Sequence, residues 1–266
     1  MIRNVKCAIF DLDGTLFLGK DRIEGASEAL HMMREKGIKI LFLTNAGTRS
    51  REGVAEKLRS RGFEANADEV YCGSYIVAKY IAMHLPGKKV YVVGEPGMVE
   101  ELNAAGIETS DDAGIVVGCL DRQINYEKLG KAHMLIRHGA EFIASNKDHT
   151  FPTEHGSMPG AGAIVAAIEF STRRSALVVG KPNPYAFTLM KEEKGLKASE
   201  TLMVGDRLDT DIAFAKNCGI KSVLVLTGTS KKEEIKEKGL NPELILETVA
   251  GLPKELGIMP KEKPTA

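Results

Sequence analysis

Short apolar segments rich in branched residues alternate with amphipathic segments along the chain, and this alternation limits the fold more than any other feature of the sequence. The strand-like segments read VKCAIF, IKILFL, KVYVV, GIVVG, EFIAS, ALVVG, TLMVG and SVLVL. Between the first two, residues 27–36 have a helical pattern, with Ser27 as the expected N-cap and Gly37 as the stop signal. Strands that alternate with helices form parallel sheets through right-handed crossovers. We therefore expect an α/β fold with a doubly wound, Rossmann-like parallel sheet covered by helices on both faces.

Composition bounds the kind of partner that this chain of 266 residues binds. Its 36 Lys and Arg residues balance its 36 Asp and Glu residues, so the formal net charge is zero. A neutral chain lacks the overall positive charge that favours binding to nucleic acids and anionic membranes. We expect a small molecule as the partner, with no nucleic acid and no membrane.

The cysteine pattern and the N-terminus indicate the compartment. The cysteines, Cys7, Cys72, Cys119 and Cys218, are scattered singly, without a C-x-x-C pair and without a histidine at metal-ligand spacing. This pattern argues against a disulfide framework and against a zinc site, and it favours a reducing compartment. The first residues reach charged side chains too early for a signal peptide, and no later window is long and apolar enough to span a bilayer. We therefore expect a soluble, cytoplasmic protein.

Two breaks in the pattern indicate an inserted domain. The segment HLPGKK at 84–89 is rich in turn residues, and the segment FSTRRS at 170–175 is charged. The stretch between them has strand-like and helix-like segments of its own. We therefore expect a core of residues 1–83 and 177–266, with a smaller α/β domain of residues 84–176 inserted in it.

The first motif that carries chemistry is IFDLDGTL, in which Asp11 and Asp13 stand at the end of a strand-like segment. Residues two apart in an extended backbone project to the same side, and Gly14 lets the chain turn away at once. Two neighbouring carboxylates repel each other unless a cation or a shared proton intervenes. A polar turn after a strand would contain the same residues. A calcium-binding loop is disfavoured, because Leu16 and Arg22 replace the Gly and the Glu that such a loop needs.

Three further motifs follow strand-like segments in the same way. In LFLTNAGT, Thr44 and Asn45 follow a strand-like segment, and a hydroxyl there, beside the free amides of a helix start, can hold a phosphate oxygen, although Thr-Asn is also ordinary turn chemistry. In VVGKPNP, Lys181 can bring positive charge to a phosphoryl group, although a solvated surface lysine is the commoner case. In GDRLDTDI, Asp206 directly follows a strand-like segment. Open parallel sheets bind ligands at the carboxyl ends of their strands, so we expect these side chains and Asp11 to meet at one edge, where they suit a magnesium-bound phosphoryl group.

At these four motifs, the sequence resembles the haloacid dehalogenase-like (HAD) superfamily of aspartyl-phosphate hydrolases. The motifs DLDGT, TN, GKPNP and GDRLDTDI occur in the order of that family and cover nearly the whole chain. The insert between the second and third motifs resembles the type-2 cap of the NagD-type branch, notably in GCLDRQINYEKL, FIASNKDHTFPTEHG and MPGAGA. That branch contains p-nitrophenyl, phosphoglycolate and pyridoxal phosphatases and nucleotide phosphatases.

The resemblance implies a chemical role for each acidic motif. Asp11 would attack phosphorus and form an aspartyl-phosphate, and Asp13 would protonate the leaving oxygen and then activate water. A magnesium ion would bind the Asp11 carboxylate, the Asp13 backbone carbonyl and Asp206. Asp211 would lie outside these ligands and orient metal-bound water or Lys181.

The resemblance also implies binding roles for the other two motifs. Thr44 and Lys181 would hold phosphoryl oxygens, and Asn45 would bind phosphate or substrate. Many members of the branch carry a second Asn after the position of Asn45, whereas this chain has Ala46. One expected hydrogen-bond donor to the substrate is therefore absent, so the resemblance alone does not identify the substrate of this chain.

The cap would close over whatever carries the phosphate and would therefore set specificity. A histidine in a cap is more often a surface residue or a hydrogen-bonded structural residue than a substrate contact. The polar candidates for substrate contact are Asn146, Asp148, His149 and His155.

The sequence thus predicts magnesium-dependent hydrolysis of a small phosphomonoester. A phosphotransferase or phosphomutase is the nearest alternative, because an aspartyl-phosphate can also pass its phosphoryl group to an alcohol. A non-catalytic metabolite-binding protein on this fold would lack the nucleophile, and Asp11 is present. The expected partner is a small phosphorylated metabolite, and a homodimer formed through the cap is compatible with cap closure.

Overall fold

The structure is a computed structural model that describes residues 2–153 and 156–259. Its strands are β1 (Cys7–Phe10), β2 (Phe17–Leu18), β3 (Asp21–Arg22), β4 (Lys39–Thr44), β5 (Val70–Cys72), β6 (Val90–Val93), β7 (Ile115–Gly118), β8 (Glu141–Ala144), β9 (Thr150–Thr153), β10 (Gly156–Pro159), β11 (Leu177–Val178), β12 (Thr201–Gly205), β13 (Lys221–Val225) and β14 (Leu244–Leu246). Its α-helices are α1 (Ala26–Glu35), α2 (Arg51–Ser60), α3 (Gly73–His84), α4 (Pro96–Ala104), α5 (Tyr126–Arg137), α6 (Ala161–Thr172), α7 (Tyr185–Lys194), α8 (Ala213–Cys218), α9 (Glu234–Lys238) and α10 (Leu252–Glu255).

The chain forms two compact units. The first consists of the described parts of Met1–Leu43, Leu58–Glu64 and Met190–Ala266, and the second of those of Thr44–Lys57 and Ala65–Leu189. The predicted division into a core and an inserted domain of residues 84–176 stays a prediction. The compact unit that contains this stretch also contains the residues up to Leu189.

The first unit is built on a parallel sheet in which the strands follow the order β14–β13–β12–β1–β4. The central strands β1 and β12 are buried along their whole length, as expected for a sheet that is covered on both faces. The register pairs Phe10 of β1 with Val204 of β12. The segments that follow these two strands therefore leave the sheet at the same edge.

The second unit has a parallel sheet of its own, with the strand order β11–β8–β7–β6. Its core contains apolar side chains of this sheet and of α5 and α6. The buried members are Val93, Val116, Ala132, Ile136, Ala140, Phe142, Ala144, Ile164, Val165 and Ile168. An antiparallel hairpin of β9 and β10 follows β8. Both units combine parallel strands with helices, and the predicted α/β fold class is confirmed.

The predicted N-cap of the first helix is wrong. Helix α1 begins at Ala26, and Gly25 takes the N-cap position with φ of 73°, a left-handed conformation that glycine adopts without strain. The Ser27 hydroxyl instead donates to the carbonyl oxygen of Gly62 (2.7 Å). The stop signal is confirmed, since Gly37 follows the helix with φ of 75°.

The expectation that all the motifs end strands of one sheet is wrong for Lys181. The strand before it, β11, pairs with β8 in the sheet of the second unit. The segment ALVVG has the composition of a strand but contains nothing that selects between two parallel sheets, because strand partners are set by contacts distant in sequence.

The cysteines pack as small apolar side chains. All four are free thiols, and Cys7, Cys72 and Cys119 are buried. Burial raises the pKa of Cys7 and of Cys119 to about 12 and that of Cys72 to about 11. These thiols therefore stay protonated at neutral pH, and they are poor nucleophiles.

The described residues, 2–153 and 156–259, contain no helix that combines the length and the apolar character needed to cross a membrane.

Candidate active site

Asp11 stands where β1 ends and the chain leaves the sheet. Its backbone N–H donates to the carbonyl oxygen of Val204 (2.9 Å), which continues the pairing of β1 with β12 by one residue. The carbonyl oxygen of Leu12 then accepts N–H groups from Thr15 (3.2 Å) and Leu16 (2.8 Å), which closes a tight turn. The half-buried Asp11 side chain is therefore held at the carboxyl end of β1.

Asp206 directly follows β12 and is only 1% exposed. Its Oδ2 accepts the backbone N–H of Thr229 (2.6 Å), and its carbonyl oxygen accepts the N–H of Ser230 (3.1 Å). Hydrogen bonds to an ionised carboxylate are short and strong. They fix Asp206 against the loop that follows β13.

Two glycines leave room for the Asp206 carboxylate. A Cβ atom at Gly14 would lie 2.5 Å from its Oδ2, and a Cβ atom at Gly228 would overlap the same carboxylate. Gly14 also has φ of 92°, which residues with a side chain rarely adopt. The hydroxyl of Thr227 donates to the Gly14 carbonyl oxygen (2.6 Å) and joins the two loops. The approach of both loops to Asp206 therefore depends on glycine at these positions.

Asp211 is fully buried within a π-helical turn, Leu208–Ile212. Its Oδ2 accepts the backbone N–H of Arg207 (3.0 Å). A Cβ atom at Gly205, the last residue of β12, would overlap the Asp211 carboxylate. The turn therefore directs this carboxylate back to the end of β12. Turns of this kind occur often at functional sites.

The carboxylates of Asp11, Asp206 and Asp211 form a group that we call the acidic cluster. Each offers one oxygen atom, and these oxygens lie within 4.8 Å of one another. Carboxylates at this spacing repel one another unless a cation offsets their charge. A donor set made only of oxygen atoms fits a hard divalent cation such as Mg²⁺. The acidic cluster can therefore hold a metal ion.

The predicted metal ligands and the acidic cluster overlap without being identical. Asp11 and Asp206 belong to both sets, and the carboxylate of Asp211 lies at the same spacing, although the family resemblance implies a place for it outside the ligands. Asp13, the other predicted ligand, is half-buried and forms an isolated β-bridge with Phe17. Its role as a ligand stays a prediction.

The other two charged residues of GDRLDTDI pair with each other. The guanidinium of Arg207 donates to both carboxylate oxygens of Asp209, each at 3.2 Å. Burial tends to raise the pKa of Asp209, but the hydrogen bonds and charge of Arg207, with the charge of Lys238, outweigh burial and hold this pKa below its ordinary value. Asp209 is therefore a surface ion-pair residue, distinct from the acidic cluster.

A second polar group lies in the second unit around Asn45. The side-chain amide of Asn45 donates to the carbonyl oxygen of Lys181 (3.0 Å) and to the carboxylate of Asp148 (3.2 and 3.3 Å). Asn146 donates from Nδ2 to the Asn45 carbonyl oxygen (2.7 Å) and accepts the N–H of Asp148 at Oδ1 (3.0 Å). Asn45, Asn146, Asp148 and the carbonyl group of Lys181 form what we call the amide cluster.

Thr44, the last residue of β4, is buried. Its Oγ1 accepts the backbone N–H of Ala46 (3.1 Å). This bond closes a local turn, so the turn chemistry expected for Thr-Asn is present. The hydroxyl hydrogen of Thr44 can still be donated to a further acceptor, because a hydroxyl both donates and accepts.

Lys181 is only 3% exposed, so the alternative of a solvated surface lysine is wrong. A buried ammonium group is costly unless an anion or hydrogen-bond acceptors lie close to it. Asn183 shapes the turn after Lys181, since its side chain donates to the Val178 carbonyl oxygen (2.8 Å) and accepts the N–H of Tyr185 (2.9 Å). That second bond lies at the start of α7, so the GKPNP turn and the helix form one unit of local structure.

The predicted cap residues are found in different surroundings. Asn146 and Asp148 belong to the amide cluster, and His149 is exposed. His155 lies outside the described residues.

Comparison with known proteins decides the family. A family model described as haloacid dehalogenase-like hydrolase matches residues 8–108, and a HAD-hydrolase-like model matches residues 178–252. An acid sugar phosphatase of Staphylococcus saprophyticus is 38% identical over 257 residues, which cover 96% of this chain and 99% of that protein. The chain belongs to the haloacid dehalogenase-like hydrolases.

Two solved structures place this HAD-like hydrolase beside NagD-type enzymes. The p-nitrophenyl phosphatase from Archaeoglobus fulgidus is similar with a TM-score of 0.90 and 36% identity, over 95% of this chain and 100% of that one. NagD from Escherichia coli K-12 has a TM-score of 0.86 and 31% identity, over 93% of this chain and 98% of that one. The resemblance found in the sequence is confirmed, and the protein is an enzyme, a hydrolase of the phosphatase type.

Sequence reasoning missed part of the site of this HAD-like hydrolase. The loop at 227–230, TGTS, supplies the N–H that binds the Asp206 carboxylate and the glycine that makes room for it. One signal was available, because TGTS follows the strand-like segment SVLVL as the other motifs follow theirs. Its residues are ordinary in loops, and only the packing against Asp206 distinguishes them.

Proposed function

We propose that this protein is a magnesium-dependent phosphatase that hydrolyses a small phosphomonoester through an aspartyl-phosphate intermediate. The observation that carries the proposal is the acidic cluster, whose three carboxylates each offer an oxygen within 4.8 Å of the others. The relatives named acid sugar phosphatase and p-nitrophenyl phosphatase support the class of reaction. They also make a sugar phosphate a reasonable first substrate to test.

The metal would be held by the ends of β1 and β12. Asp11 and Asp206 would bind Mg²⁺ through their carboxylates and Asp13 through its carbonyl oxygen, and Asp211 would add a carboxylate or orient bound water. When bound, Mg²⁺ would supply positive charge that offsets the charge developing on the phosphoryl oxygens.

The reaction would proceed in two steps at Asp11. In the first, a carboxylate oxygen of Asp11 bonds to phosphorus while the bond between phosphorus and the alcohol oxygen breaks, and Asp13 gives that oxygen a proton. In the second, Asp13 takes a proton from water, whose oxygen bonds to phosphorus and releases Asp11 and inorganic phosphate. A positioned acid and base of this kind contributes about 10²–10⁴-fold in rate.

Thr44 and Lys181 would hold phosphoryl oxygens during both steps. Thr44 is buried with a hydroxyl that can donate, and Lys181 is buried with a positive charge that favours an anion. Residues 84–176 would act as the cap, and His149 and His155 remain its candidates for contact with the leaving group. The cytoplasmic location and the homodimer also remain predictions.

Replacement of the nucleophile tests the proposal. Asp11→Asn keeps the shape of the side chain but cannot form a hydrolysable acyl phosphate in the same way, so phosphate release from p-nitrophenyl phosphate with Mg²⁺ should become undetectable. Asp111→Asn, an exposed aspartate in the second unit, is the matched control and should behave as wild type. Circular dichroism would check that both variants are folded. Substantial turnover by folded Asp11→Asn would remove the nucleophile assignment.

A second experiment separates hydrolysis from phosphoryl transfer. Wild-type enzyme would be assayed with p-nitrophenyl phosphate and added alcohols, and nitrophenol and free phosphate would be measured together. A phosphatase releases the two in equal amounts. A shortfall of free phosphate that grows with the alcohol concentration would show a phosphotransferase. Metal-free enzyme, prepared with EDTA, should be inactive until Mg²⁺ is restored.

A further inference from the structure

The side-chain amide of Asn45 directs its N–H groups at protein acceptors. One acceptor is the Lys181 carbonyl oxygen at 3.0 Å, and the other is the Asp148 carboxylate at 3.2 and 3.3 Å. An amide nitrogen has two hydrogens, so both are directed at these groups. The opposite orientation of the amide would set its oxygen against a carbonyl and a carboxylate, which are all acceptors. The side-chain amide of Asn45 therefore has no N–H left for a phosphoryl oxygen.

A closed ring of hydrogen bonds holds Asn45 in this orientation. Its amide donates to Asp148, the N–H of Asp148 donates to Asn146, and the amide of Asn146 donates to the Asn45 carbonyl oxygen. Asn45 is 6% exposed and Asn146 is buried, so water competes little for these bonds. A satisfied polar network in a buried position rigidifies its members. The backbone and the side chain of Asn45 are thus both fixed by the ring.

The turn that carries Lys181 packs directly on the Asn45 side chain. A Cβ atom at Gly180 would lie 2.7 Å from Oδ1 of Asn45 and would overlap the carbonyl oxygen of Ser145. The N–H of Gly180 also donates to that Ser145 oxygen (2.9 Å). The backbone on either side of the Gly180–Lys181 peptide is therefore clamped, at Gly180 by Ser145 and at the Lys181 carbonyl by Asn45.

We propose that the side chain of Asn45 positions Lys181 and is not itself a ligand of the phosphoryl group. Its amide holds the Lys181 carbonyl, and this fixes the origin of the side chain that carries the ammonium group. Asp148 and Asn146 hold the amide in turn, so their function in the cap region is to support Asn45. This inference rests on the proposed function, in which the Lys181 ammonium binds a phosphoryl oxygen.

A double-mutant cycle between Asn45 and Lys181 tests the proposal. Asn45→Ala removes the clamp and should lower kcat/KM for p-nitrophenyl phosphate by about ten- to a hundredfold, because small misplacements of binding groups have effects of that size. In a Lys181→Ala background the ammonium is gone and the backbone carbonyl remains. Asn45→Ala should then have little further effect. Equal losses in both backgrounds would show that Asn45 acts independently of Lys181 and would overturn the proposal.

Asp148→Asn provides a second, milder variant. It keeps an acceptor oxygen for the Asn45 amide but removes the charge, so we expect a smaller loss of kcat/KM that also disappears in the Lys181→Ala background. The inhibition constant for inorganic phosphate should rise in both single variants, a shift that a purely structural role at this site would not cause. Lys147→Ala is the control, since this exposed neighbour pairs with Glu169 and should leave all values unchanged.

The outcomes separate this inference from the proposed function. If Asp11→Asn is inactive and the effects of Asn45→Ala and Lys181→Ala on kcat/KM are additive, only the positioning role is refuted. If Asp11→Asn retains turnover, the proposed function falls as well. Thermal unfolding of each variant would identify any that is not folded, and the Asp148→Asn cycle decides the question if Asn45→Ala is one of these.

Discussion

The acidic cluster and the amide cluster hold polar groups in buried positions by opposite means. The acidic cluster gathers carboxylates of one sign at 4.8 Å or less, next to glycines that let loops approach them. The amide cluster alternates donors with acceptors, so that the ring of Asn45, Asp148 and Asn146 supports itself. A group of like charges needs a cation to offset their repulsion, whereas in the ring each of these acceptors already receives an N–H group. This difference supports the two proposals, in which the first cluster binds the metal and the second positions Lys181.

Among variants that keep the proposed nucleophile Asp11, the largest effect is expected from Asp206→Asn, which removes a charge from the acidic cluster. The amide keeps the shape of the carboxylate but is a poor ligand for Mg²⁺, so kcat/KM should fall by about a thousandfold, which corresponds to about 4 kcal/mol of transition-state stabilisation. Steady-state rates with p-nitrophenyl phosphate over a range of Mg²⁺ concentrations would measure it. A loss of less than tenfold would place the metal elsewhere.

Gly228→Ala tests the packing of the acidic cluster. The new Cβ atom would overlap the Asp206 carboxylate, so we expect a loss of about 3 kcal/mol in the free energy of unfolding together with a marked loss of activity. Urea denaturation would measure the stability. Gly130→Ala in α5 is the matched control, because nothing lies within 4 Å of the Cβ atom added there. That variant should be unchanged or slightly more stable. Equal stability of the two variants would contradict the close packing around Asp206.

Gly180→Ala disturbs the amide cluster in the same way and should have a smaller effect on activity. The added Cβ atom would overlap the Ser145 carbonyl oxygen and press on Oδ1 of Asn45. We expect a loss of about 2 kcal/mol in unfolding free energy and a fall of about tenfold in kcat/KM, since the Lys181 turn should move while the proposed nucleophile, Asp11, is unchanged. Activity and urea denaturation measured on one preparation would check both values. Unchanged affinity for inorganic phosphate would contradict the proposal that this turn positions Lys181 for phosphate binding.

The smallest effect is expected at the Arg207–Asp209 pair outside both clusters. Arg207 lowers the pKa of Asp209, so the pair stabilises the folded state above the unfolded pKa of about 3.9, and this contribution is lost as the pH falls through the lower folded pKa. The Asp209 side chain is 45% exposed, so Asp209→Asn should cost only about 0.5 kcal/mol at pH 7. Unfolding free energies of wild type and variant at pH 7 and at pH 3 would test this. A difference that grows towards acid would contradict the assigned direction.

Local pattern in the sequence was enough to predict the α/β class, the aspartates at the ends of β1 and β12, and the strands β1, β4, β6, β7, β8, β11, β12 and β13. It did not predict the strands β2, β3, β5, β9, β10 and β14. It failed where the answer depends on distant partners. Serine is a residue type that is favoured at N-caps, yet the Ser27 hydroxyl donates to the Gly62 carbonyl oxygen and Gly25 takes the N-cap position. The strand before Lys181 joins the second sheet, which no residue of ALVVG specifies.

The same limit applies to the amide cluster. Asn45 follows Thr44 in a motif that resembles a phosphate-binding turn, and the resemblance therefore implied that Asn45 binds the phosphate or the substrate. Its actual acceptors, Lys181 and Asp148, lie more than a hundred residues away along the chain. Only such distant contacts show which donors of a side chain are already hydrogen-bonded. The motif itself contains none of the acceptors that Asn45 uses.

Binding of Mg²⁺ to metal-free protein tests the central claim most directly. Isothermal titration of wild type should show a binding site, and the Asp206→Asn, Asp211→Asn double variant should show none. Asn45→Ala should bind Mg²⁺ with the affinity of wild type, because the amide cluster supplies position and no metal ligand. Wild-type affinity in the double variant, or loss of binding in Asn45→Ala alone, would contradict the division of roles between the two clusters.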